Sequence, residues 1–324
     1  MEISLISPAF CNKSLAHSKN LGDLFIHDCI EEEVQSLFPN SVFHYIPTHS
    51  YPSWNDVRLV QRSQLKIVCG SNLLAFHPFR RRQWKLGWSG LWGYRDLVLM
   101  GVGWANDFVR PSKYAKFVLN SITDKKILHS VRDEFSLNML QRCDLSNVLN
   151  TACPTMWKIN NRKLKMNQLR RSENVVVTVT DYNQSPIEDC KLISMATGLY
   201  KNVIFYAQSE KDVIYIRKLG WKGSVIHGAF NILNEVIETY HGDIEYVGTR
   251  LHCGIYFLRM GFRALVLSID NRAREISNDT GLPTCLRGDF LFVLKWIEYP
   301  GENEIRLPSE EISIFKQGIL DSVR

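Results

Sequence analysis

The sequence lacks the long apolar segments that mark membrane and secreted proteins. Its apolar runs, such as LVLMGVGWA, are far shorter than the roughly 20 residues that a membrane-spanning helix needs. The first ten residues, MEISLISPAF, contain neither a basic segment nor a long apolar core, so we expect no signal peptide. These absences predict a cytoplasmic protein.

Motifs for metals and nucleotide cofactors are also missing. The eight cysteines form no CxxC pair, and no histidine cluster has zinc-ligand spacing. Scattered cysteines in a chain of 324 residues are typical of reduced thiols in a cytosol rather than of a disulfide framework. Neither a complete GxGxxG after the first strand nor a Walker A loop is present. The sequence therefore predicts no metal and no cofactor.

The chain has fewer acidic residues than basic ones, 33 Asp and Glu against 39 Lys and Arg. The formal net charge is +6 and the isoelectric point is near 8.8, which is mildly basic. This charge suits an anionic small substrate or an anionic membrane surface at least as well as nucleic acid, for which no motif is present. We therefore expect no nucleic-acid partner, and we expect peripheral contact with a membrane at most.

Strand-like segments alternate with helix-like segments along the chain. EISLISP opens the first half with a strand pattern, and NVVVTVT opens the second half with a Val/Thr run typical of a buried strand. Such alternation predicts parallel sheets with helices on both faces. The predicted fold class is α/β, with two Rossmann-like domains facing a cleft.

The length of the chain favours two domains over one. We predict an N-terminal domain over residues 1–150, joined by a C-terminal helix at 309–324. The second domain is predicted over residues 172–308. The polar and basic stretch at 151–171 is interpreted as the linker between them.

The segment GTRLHCG, residues 248–254, follows the apolar stub IEYV and leads into a helical pattern. Thr249 is a candidate N-cap, which would place Arg250 and His252 in the first helical turn. Unpaired amides and the positive end of the helix dipole lie there too, so the segment is typical of an anion site. The alternative is a capped surface helix with two solvated polar residues.

Two other segments place polar residues at predicted helix starts. In SVRDEFS, Ser130 is a candidate N-cap with Asp133 three residues on, and Arg132 lies in the first turn, where a cation suggests a compensating anion. The alternative is a surface arginine paired with Asp133 or Glu134. In NLGDLFI, Asp23 is either an N-cap or a carboxylate that acts as a base.

NLGDLFI, SVRDEFSLNML and GTRLHCG, with GFRALVLSID and DTGLP after it, occur in an order and spacing similar to those of the polysaccharide pyruvyl transferase family. The resemblance spans Asn20 to Pro283, and GVGW and CPTMW match more loosely. It implies a glycosyltransferase-B-like fold. It also implies transfer of a carboxyvinyl unit from phosphoenolpyruvate to hydroxyls of a sugar, in a polysaccharide or a lipid-linked oligosaccharide. The products would be a pyruvate ketal and phosphate.

The resemblance also implies roles for individual residues. Arg132, Arg250 and His252 would be donor-site residues, with the two arginines clamping the carboxylate and phosphate of phosphoenolpyruvate. His252 is our candidate for the acid, because the ordinary pKa of an imidazole lies near neutral pH, and Asp23 is the candidate base. We add Thr249 and Ser268 to the donor-binding residues. The second domain is thus expected to be the donor side, and the first domain the acceptor side.

The acceptor is expected in the stretch at 79–96, FRRRQWKLGWSGLWGYRD, where aromatic residues alternate with cations. Aromatic rings stack on sugars, and basic residues suit anionic sugars or lipid phosphates. The alternative is a loop with a partly buried aromatic cluster. The candidate acceptor-binding residues are Trp84, Trp88, Trp92 and Tyr94.

Two departures from the family pattern leave other functions open. The turn after LKIVC is GSNLL, residues 70–74, where the family has a Gly-rich turn. The strand in the second half ends in TVTDY, with residues 180–182 where relatives often carry an arginine. The alternatives are a glycosyltransferase with a nucleotide-sugar donor, on the same fold, and a non-catalytic sugar-binding relative.

Overall fold

The structure is a computed structural model that describes residues 1–11, 16–17, 20–74, 83–105, 110–301 and 303–323. The chain divides into two compact units. The first consists of Met1–Ser18, Asp23–Trp157 and Leu307–Arg324, and the second of Lys19–Gly22 and Lys158–Arg306. The division falls inside the segment predicted as a linker, which contains a short 3₁₀ turn at Pro154–Met156 and a helix at Asn161–Gln168.

The first unit opens with alternating strands and helices. In chain order they are β1 (Glu2–Ser7), β2 (Phe10–Cys11), β3 (Ala16–His17), α1 (Leu21–Leu37), β4 (Val42–Pro47), α2 (Trp54–Arg62), β5 (Leu65–Ser71), α3 (Gly87–Gly93), β6 (Val98–Val102), α4 (Lys113–Ile122), β7 (His129–Val131), α5 (Glu134–Gln141) and β8 (Val148–Asn150).

The second unit repeats this alternation, and a last helix then returns to the first unit. The elements are α6 (Asn161–Gln168), β9 (Asn174–Thr178), α7 (Pro186–Leu199), β10 (Asn202–Ala207), α8 (Glu210–Lys218), β11 (Val225–His227), α9 (Ile232–Thr239), β12 (Glu245–Gly248), α10 (Leu251–Met260), β13 (Ala264–Ser268), α11 (Asn271–Thr280), β14 (Thr284–Leu286), α12 (Phe290–Glu298) and α13 (Ser309–Val323).

Each unit is built on a six-stranded parallel sheet. The strand orders are β4-β1-β5-β6-β7-β8 and β11-β10-β9-β12-β13-β14. Both orders reverse direction next to the first strand of their unit, which is the doubly wound pattern of a Rossmann-like sheet. The predicted α/β class with two Rossmann-like units is confirmed.

Strand β9 shows why these segments form central strands. All five residues of NVVVT are buried, as expected for a strand covered by helices on both faces. Its register pairs Val177 with Phe205 of β10, and Thr178 with Gly248 of β12. The carboxyl ends of β10, β9 and β12 therefore lie at one edge of the sheet, where open α/β sheets bind ligands.

The core of the first unit includes residues from both ends of its sequence. Ile3 and Leu5 of β1 belong to the same buried cluster as Phe315 and Ile319 of α13. Lys316 of that helix also forms an ion pair of 2.5 Å with the buried carboxylate of Glu33 on α1. Helix α13 thus completes one layer of the first unit.

The segment SVRDEFS, where the sequence predicts a helix start at Ser130, begins in a strand and enters a helix only after Asp133. Ser130 lies in β7, where its Oγ accepts a hydrogen bond from the amide of Gly101 at 2.9 Å. Asp133 is the N-cap of α5 instead, and its side chain accepts from the amide of Ser136. The prediction of Ser130 as the cap is therefore wrong, because this short buried strand precedes the helix. Within the described residues, no helix is long and apolar enough to cross a membrane.

Candidate functional site

Strand β12 ends at Gly248, shortly before α10 begins, and this glycine lies close to Thr178 of the adjacent strand β9. A Cβ on Gly248 would lie 2.6 Å from the amide nitrogen and 2.7 Å from the carbonyl oxygen of Thr178, so only glycine fits there. The following residue, Thr249, is not the N-cap that the sequence predicts. Its Oγ1 reaches back to the carbonyl of Thr178 at 3.5 Å, and Arg250 occupies the N-cap position without a side-chain cap.

The backbone of Arg250 is held by two buried hydroxyls. Its amide donates to Thr178 Oγ1 and to the hydroxyl oxygen of Tyr246, both at 3.1 Å. Tyr246 in turn donates its own hydroxyl hydrogen to the carbonyl of Arg250 at 2.8 Å. Burial raises the pKa of Tyr246 well above its ordinary value, so the hydroxyl stays protonated. These contacts fix the backbone position from which the Arg250 side chain extends.

The guanidinium of Arg250 is paired inside its own unit. Its Nη2 lies 2.5 Å and 2.6 Å from the two carboxylate oxygens of Asp212, and 3.2 Å from Asp181 Oδ1. The ring of Tyr182 lies against it, with Cζ 5.0 Å from the ring centroid. Arg250 is thus compensated by Asp212 and Asp181, neither of which is part of a motif in the sequence.

Asp212, in the first turn of α8, organises this edge of the sheet. Besides Arg250, its carboxylate accepts hydrogen bonds from the amides of Asp181 at 3.0 Å and Gln208 at 3.1 Å. It therefore ties together the segments that follow β9, β10 and β12. Burial raises its pKa above the ordinary carboxyl value, and Arg250 opposes that shift. The feature of the sequence that could have indicated Asp212 is Ser209, the N-cap of α8, which comes three residues before it.

Three buried hydrogen-bond donors at this edge have no partner among the described residues. They are Thr180 Oγ1, Gln208 Nε2 and Arg250 Nε. Buried polar groups are nearly always hydrogen-bonded in proteins, and an unsatisfied one costs about 1–3 kcal/mol. Three such groups on neighbouring segments make this edge a candidate ligand site.

His252 lies in the first turn of α10 and is buried. A Cβ on Gly22, which groups with the second unit, would lie 3.3 Å from His252 Nδ1 and 3.7 Å from Gln208 Oε1. His252 and Gln208 are therefore neighbours around this glycine. Ser268, at the end of β13, donates its hydroxyl to the carbonyl of Asp270 at 2.7 Å. Its predicted donor contact stays a prediction.

In the first unit, Arg132 is buried rather than solvated. Its Nε pairs with Asp133 Oδ2 at 3.1 Å, and its Nη2 donates to Asn72 Oδ1. A Cβ on Gly103 would lie 2.4 Å from the guanidinium carbon, so the glycine of GVGW leaves the space that the arginine occupies. The anion that compensates Arg132 is Asp133. Asn72 and Gly103 were not predicted as site residues, although both lie in segments noted above.

Asp23 lies in the first turn of α1 and is buried. Ser71, in the positive-φ conformation at the end of β5, donates to Asp23 Oδ1 at 3.3 Å. The turn at 70–74, noted as a departure, therefore supplies contacts both to Asp23 and, through Asn72, to Arg132. Its residues are part of this polar cluster of the first unit.

The four aromatic residues predicted to bind the acceptor fall into two groups. Trp84 and Tyr94 are buried in the core beside Val57 and Leu97, so the prediction that they stack on a sugar is wrong for these two. Trp88 and Trp92 lie four residues apart on α3 and are 78% and 67% exposed. The arginine run at 80–82 lies outside the described residues.

A cavity of about 310 Å³ in the second unit lies away from the predicted residues. Its lining comes from the amino ends of β9, β12 and β13, and includes Glu245 and Arg263. Those two charges pair with each other at 2.6 Å, so they are already satisfied. Ligands of open parallel sheets bind at the carboxyl ends instead, which favours the Arg250 edge. Among the described side chains, no group of His, Cys, Asp or Glu residues is arranged to hold a metal.

A family model described as polysaccharide pyruvyl transferase matches residues 20–271, which is more than half of the chain. The chain belongs to the polysaccharide pyruvyl transferase family. The match contains Arg132, Arg250, His252 and Asp23, together with the unpartnered donors of the second unit. No curated protein matches the chain.

Solved structures with the same fold are distant in sequence. One is a UDP-GlcNAc 2-epimerase of Methanocaldococcus jannaschii in complex with UDP-GlcNAc and UDP, with a TM-score of 0.54 and 10% identity over 92% of each chain. Another is a putative UDP-N-acetylglucosamine 2-epimerase from Listeria monocytogenes, with a TM-score of 0.53 and 8% identity over 98% of this chain and 90% of the other. These likenesses concern the fold alone, which is glycosyltransferase-B-like.

Proposed function

We propose that this polysaccharide pyruvyl transferase uses phosphoenolpyruvate to form a pyruvate ketal on two hydroxyls of a sugar. The observation that supports the proposal is the start of α10, where Arg250 and His252 follow the carboxyl end of β12 inside the family match. Arg250 is held there by contacts to its backbone and its guanidinium, so it is preorganised for an anionic donor.

The proposed reaction balances without a cofactor. The methylene carbon of phosphoenolpyruvate takes a proton and becomes a methyl group, which makes C2 electrophilic. One sugar hydroxyl adds to C2, the bond from C2 to the phosphate oxygen breaks, and a second hydroxyl adds to the same carbon. The two hydroxyls release two protons, of which one replaces the proton taken by carbon and one leaves with phosphate.

His252 is the proposed acid, because imidazole is the side chain whose ordinary pKa lies nearest to neutral pH. In the first unit, Asp23 is the proposed base and Arg132 a proposed anion ligand. The acceptor is proposed to stack on the exposed rings of Trp88 and Trp92, and a lipid-linked acceptor would bring the enzyme to a membrane surface.

A reaction run in D₂O tests the chemistry. If His252 exchanges its proton with solvent before each turnover, the ketal methyl group acquires at least one deuterium, which mass spectrometry or proton NMR detects. A glycosyl transfer forms no new bond between carbon and a solvent-derived proton. An unlabelled product, formed only when a nucleotide sugar is supplied, would therefore replace the proposal with the glycosyltransferase alternative.

Replacing His252 tests its role separately. We expect His252→Gln to keep donor affinity, because glutamine has a similar volume and can hydrogen-bond. Turnover should fall by roughly 10²–10⁴, the usual scale for a general acid. The exposed His227 of β11 gives a matched control, His227→Gln, which should retain wild-type turnover. Equal turnover in both variants would leave His252 without a catalytic role.

A further inference from the structure

Three donors follow the carboxyl ends of three adjacent strands of the second sheet. Thr180 comes two residues after Thr178, the last residue of β9, and Gln208 comes directly after Ala207, the last residue of β10. Arg250 comes two residues after Gly248, the last residue of β12, which pairs with Thr178. Neighbouring strands lie about 4.8 Å apart, so side chains just beyond the ends of three adjacent strands can reach one small ligand.

The three side chains are buried, although each has one polar atom without a hydrogen-bond partner among the described residues. Thr180 is 0% exposed, Gln208 2% and Arg250 6%. Within the described part of the chain, Thr180 Oγ1, Gln208 Nε2 and Arg250 Nε make no hydrogen bond. Each of these atoms carries a hydrogen that it can donate. A group that accepts several hydrogen bonds at once would satisfy all three.

The position of the donors is fixed by Asp212. One carboxylate accepts from the amides of Asp181 and Gln208 and from Arg250 Nη2, so the three segments cannot separate without breaking it. Among these groups the formal charges are one positive and two negative, since Asp181 also contacts Arg250. A dianionic phosphate would meet more repulsion here than a singly charged carboxylate.

We propose that Thr180, Gln208 and the Nε–H of Arg250 form a carboxylate-binding site at the carboxyl edge of β9, β10 and β12. Such a carboxylate has two oxygens and about four acceptor positions, which suits three donors. That the ligand is the carboxylate of phosphoenolpyruvate rests on the proposed function. The phosphate of phosphoenolpyruvate is then bound by other groups. Thr180, in the segment noted as a departure from the family, becomes a ligand contact in its own right.

Binding of simple anions to the full chain tests the site. Isothermal titration is performed with pyruvate, which offers a carboxylate alone, with inorganic phosphate, and with phosphoenolpyruvate, which offers both groups. The variants are Thr180→Val and Gln208→Met, which keep the shape and remove the donor. Each should weaken the binding of pyruvate and phosphoenolpyruvate roughly tenfold or more, the scale of one hydrogen bond to a charged group, and leave phosphate binding unchanged.

Two matched variants separate loss of the donor from loss of structure. Thr180→Ser retains the hydroxyl and should retain affinity. Thr197→Val, on the exposed face of α7, makes the same chemical change elsewhere and should bind as the wild type does. Removing a buried unpaired donor also relieves an unfavourable term in the free protein, so Thr180→Val should melt at the same or a higher temperature. Weaker binding combined with equal or greater stability indicates a ligand site rather than a structural role.

The outcomes distinguish the site from the reaction. Wild-type affinity for pyruvate in both Thr180→Val and Gln208→Met would overturn the proposed site, and so would no measurable binding of pyruvate by the wild type. If the wild type forms a ketal from phosphoenolpyruvate while the variants bind it normally, the function stands and the site fails. If pyruvate binding is lost in the variants but no phosphoenolpyruvate is bound or consumed, the site stands and the proposed function fails.

Discussion

The buried ion pair of Arg250 and Asp212 stabilises the fold, and it also fixes the guanidinium at the candidate site. Both side chains are buried, and Asp212 anchors two backbone segments as well as the guanidinium. Removing one member of a buried pair leaves an uncompensated charge, which is usually worse than removing both. The consequences of substituting Arg250 therefore include a loss of stability that is separate from any loss of ligand binding.

We expect Arg250→Met to lower the free energy of unfolding by about 3 kcal/mol, because Asp212 is then buried without its partner. Asp212→Asn in the same chain should recover a large part of that loss. Urea unfolding of the single and double variants, arranged as a double-mutant cycle, measures the coupling. Additive effects of the two substitutions would show that the pair has no mutual stabilisation.

His129 gives the protein a pH-dependent stability. Its Nδ1 accepts from the amide of Leu99 at 3.3 Å and its Nε2 donates to the carbonyl of Asp124 at 3.0 Å, so the neutral imidazole is satisfied. Burial lowers the pKa of His129 to about 4, although the Asp124 carbonyl opposes the shift. Between pH 4 and 6.5 the unfolded chain therefore binds a proton that the folded chain does not.

The contribution of His129 is fully present above pH 6.5 and is lost as the pH falls towards 4. From pH 7 to pH 4.5 we expect it to reduce the free energy of unfolding by about 2 kcal/mol. His129→Gln, which does not titrate, should lack that part of the pH dependence. Parallel pH profiles of urea unfolding for the two proteins would contradict the assignment.

At the level of whole elements, α10 owes its position to small residues. Gly248 permits β12 to approach β9, and Gly254 permits the helix to lie against β13 and Tyr246. The helix ends at Gly261, whose φ of 91° is unfavourable for other residues. The start of α10, where Arg250 and His252 lie, is thus set by contacts along its whole length.

Gly254→Ala should be destabilising, because the added Cβ would lie 2.5 Å from Val266 Cγ2. Overpacking of this kind typically costs about 1–3 kcal/mol. The matched control is Gly198→Ala near the end of α7, where nothing lies within 4 Å of the added atom. That change should stabilise the protein by up to about 1 kcal/mol, because alanine is the better helix former. Thermal unfolding of the two variants provides the comparison, and a shift of the same sign in both would contradict it.

For the whole molecule, the alternation of elements was enough to predict two parallel α/β units. The three consecutive valines of NVVVT identify a central strand, because a strand covered by helices on both faces has no solvent-facing positions. Three-residue strands such as His129–Val131 are too short for a period to be measured. Arg250, His252 and Arg132 were predicted as site residues from local motifs. Asp212, Gln208 and Asn72, which lie next to them, could not be predicted, because their contacts depend on which strands become neighbours.

The first unit depends on a helix that is distant in sequence. We expect removal of residues 307–324 to expose the apolar surface that Phe315 and Ile319 cover, and to lower the free energy of unfolding of the first unit by several kcal/mol. Hydrogen exchange of the truncated chain should show faster exchange in β1 and α1. A milder test within the full chain is Phe315→Ala, for which about 3–5 kcal/mol is expected. Unchanged protection of β1 in both variants would show that α13 is dispensable.

The return of α13 to the first unit also has a consequence for synthesis. All of Lys158–Arg306, about 150 residues, leaves the ribosome before this helix does. At about 5–20 residues per second, that interval is on the order of ten seconds. During it, the nascent first unit presents an apolar sheet face that its own remaining sequence has yet to cover. We therefore expect the chain to be most prone to aggregation in this interval, before α13 covers that face.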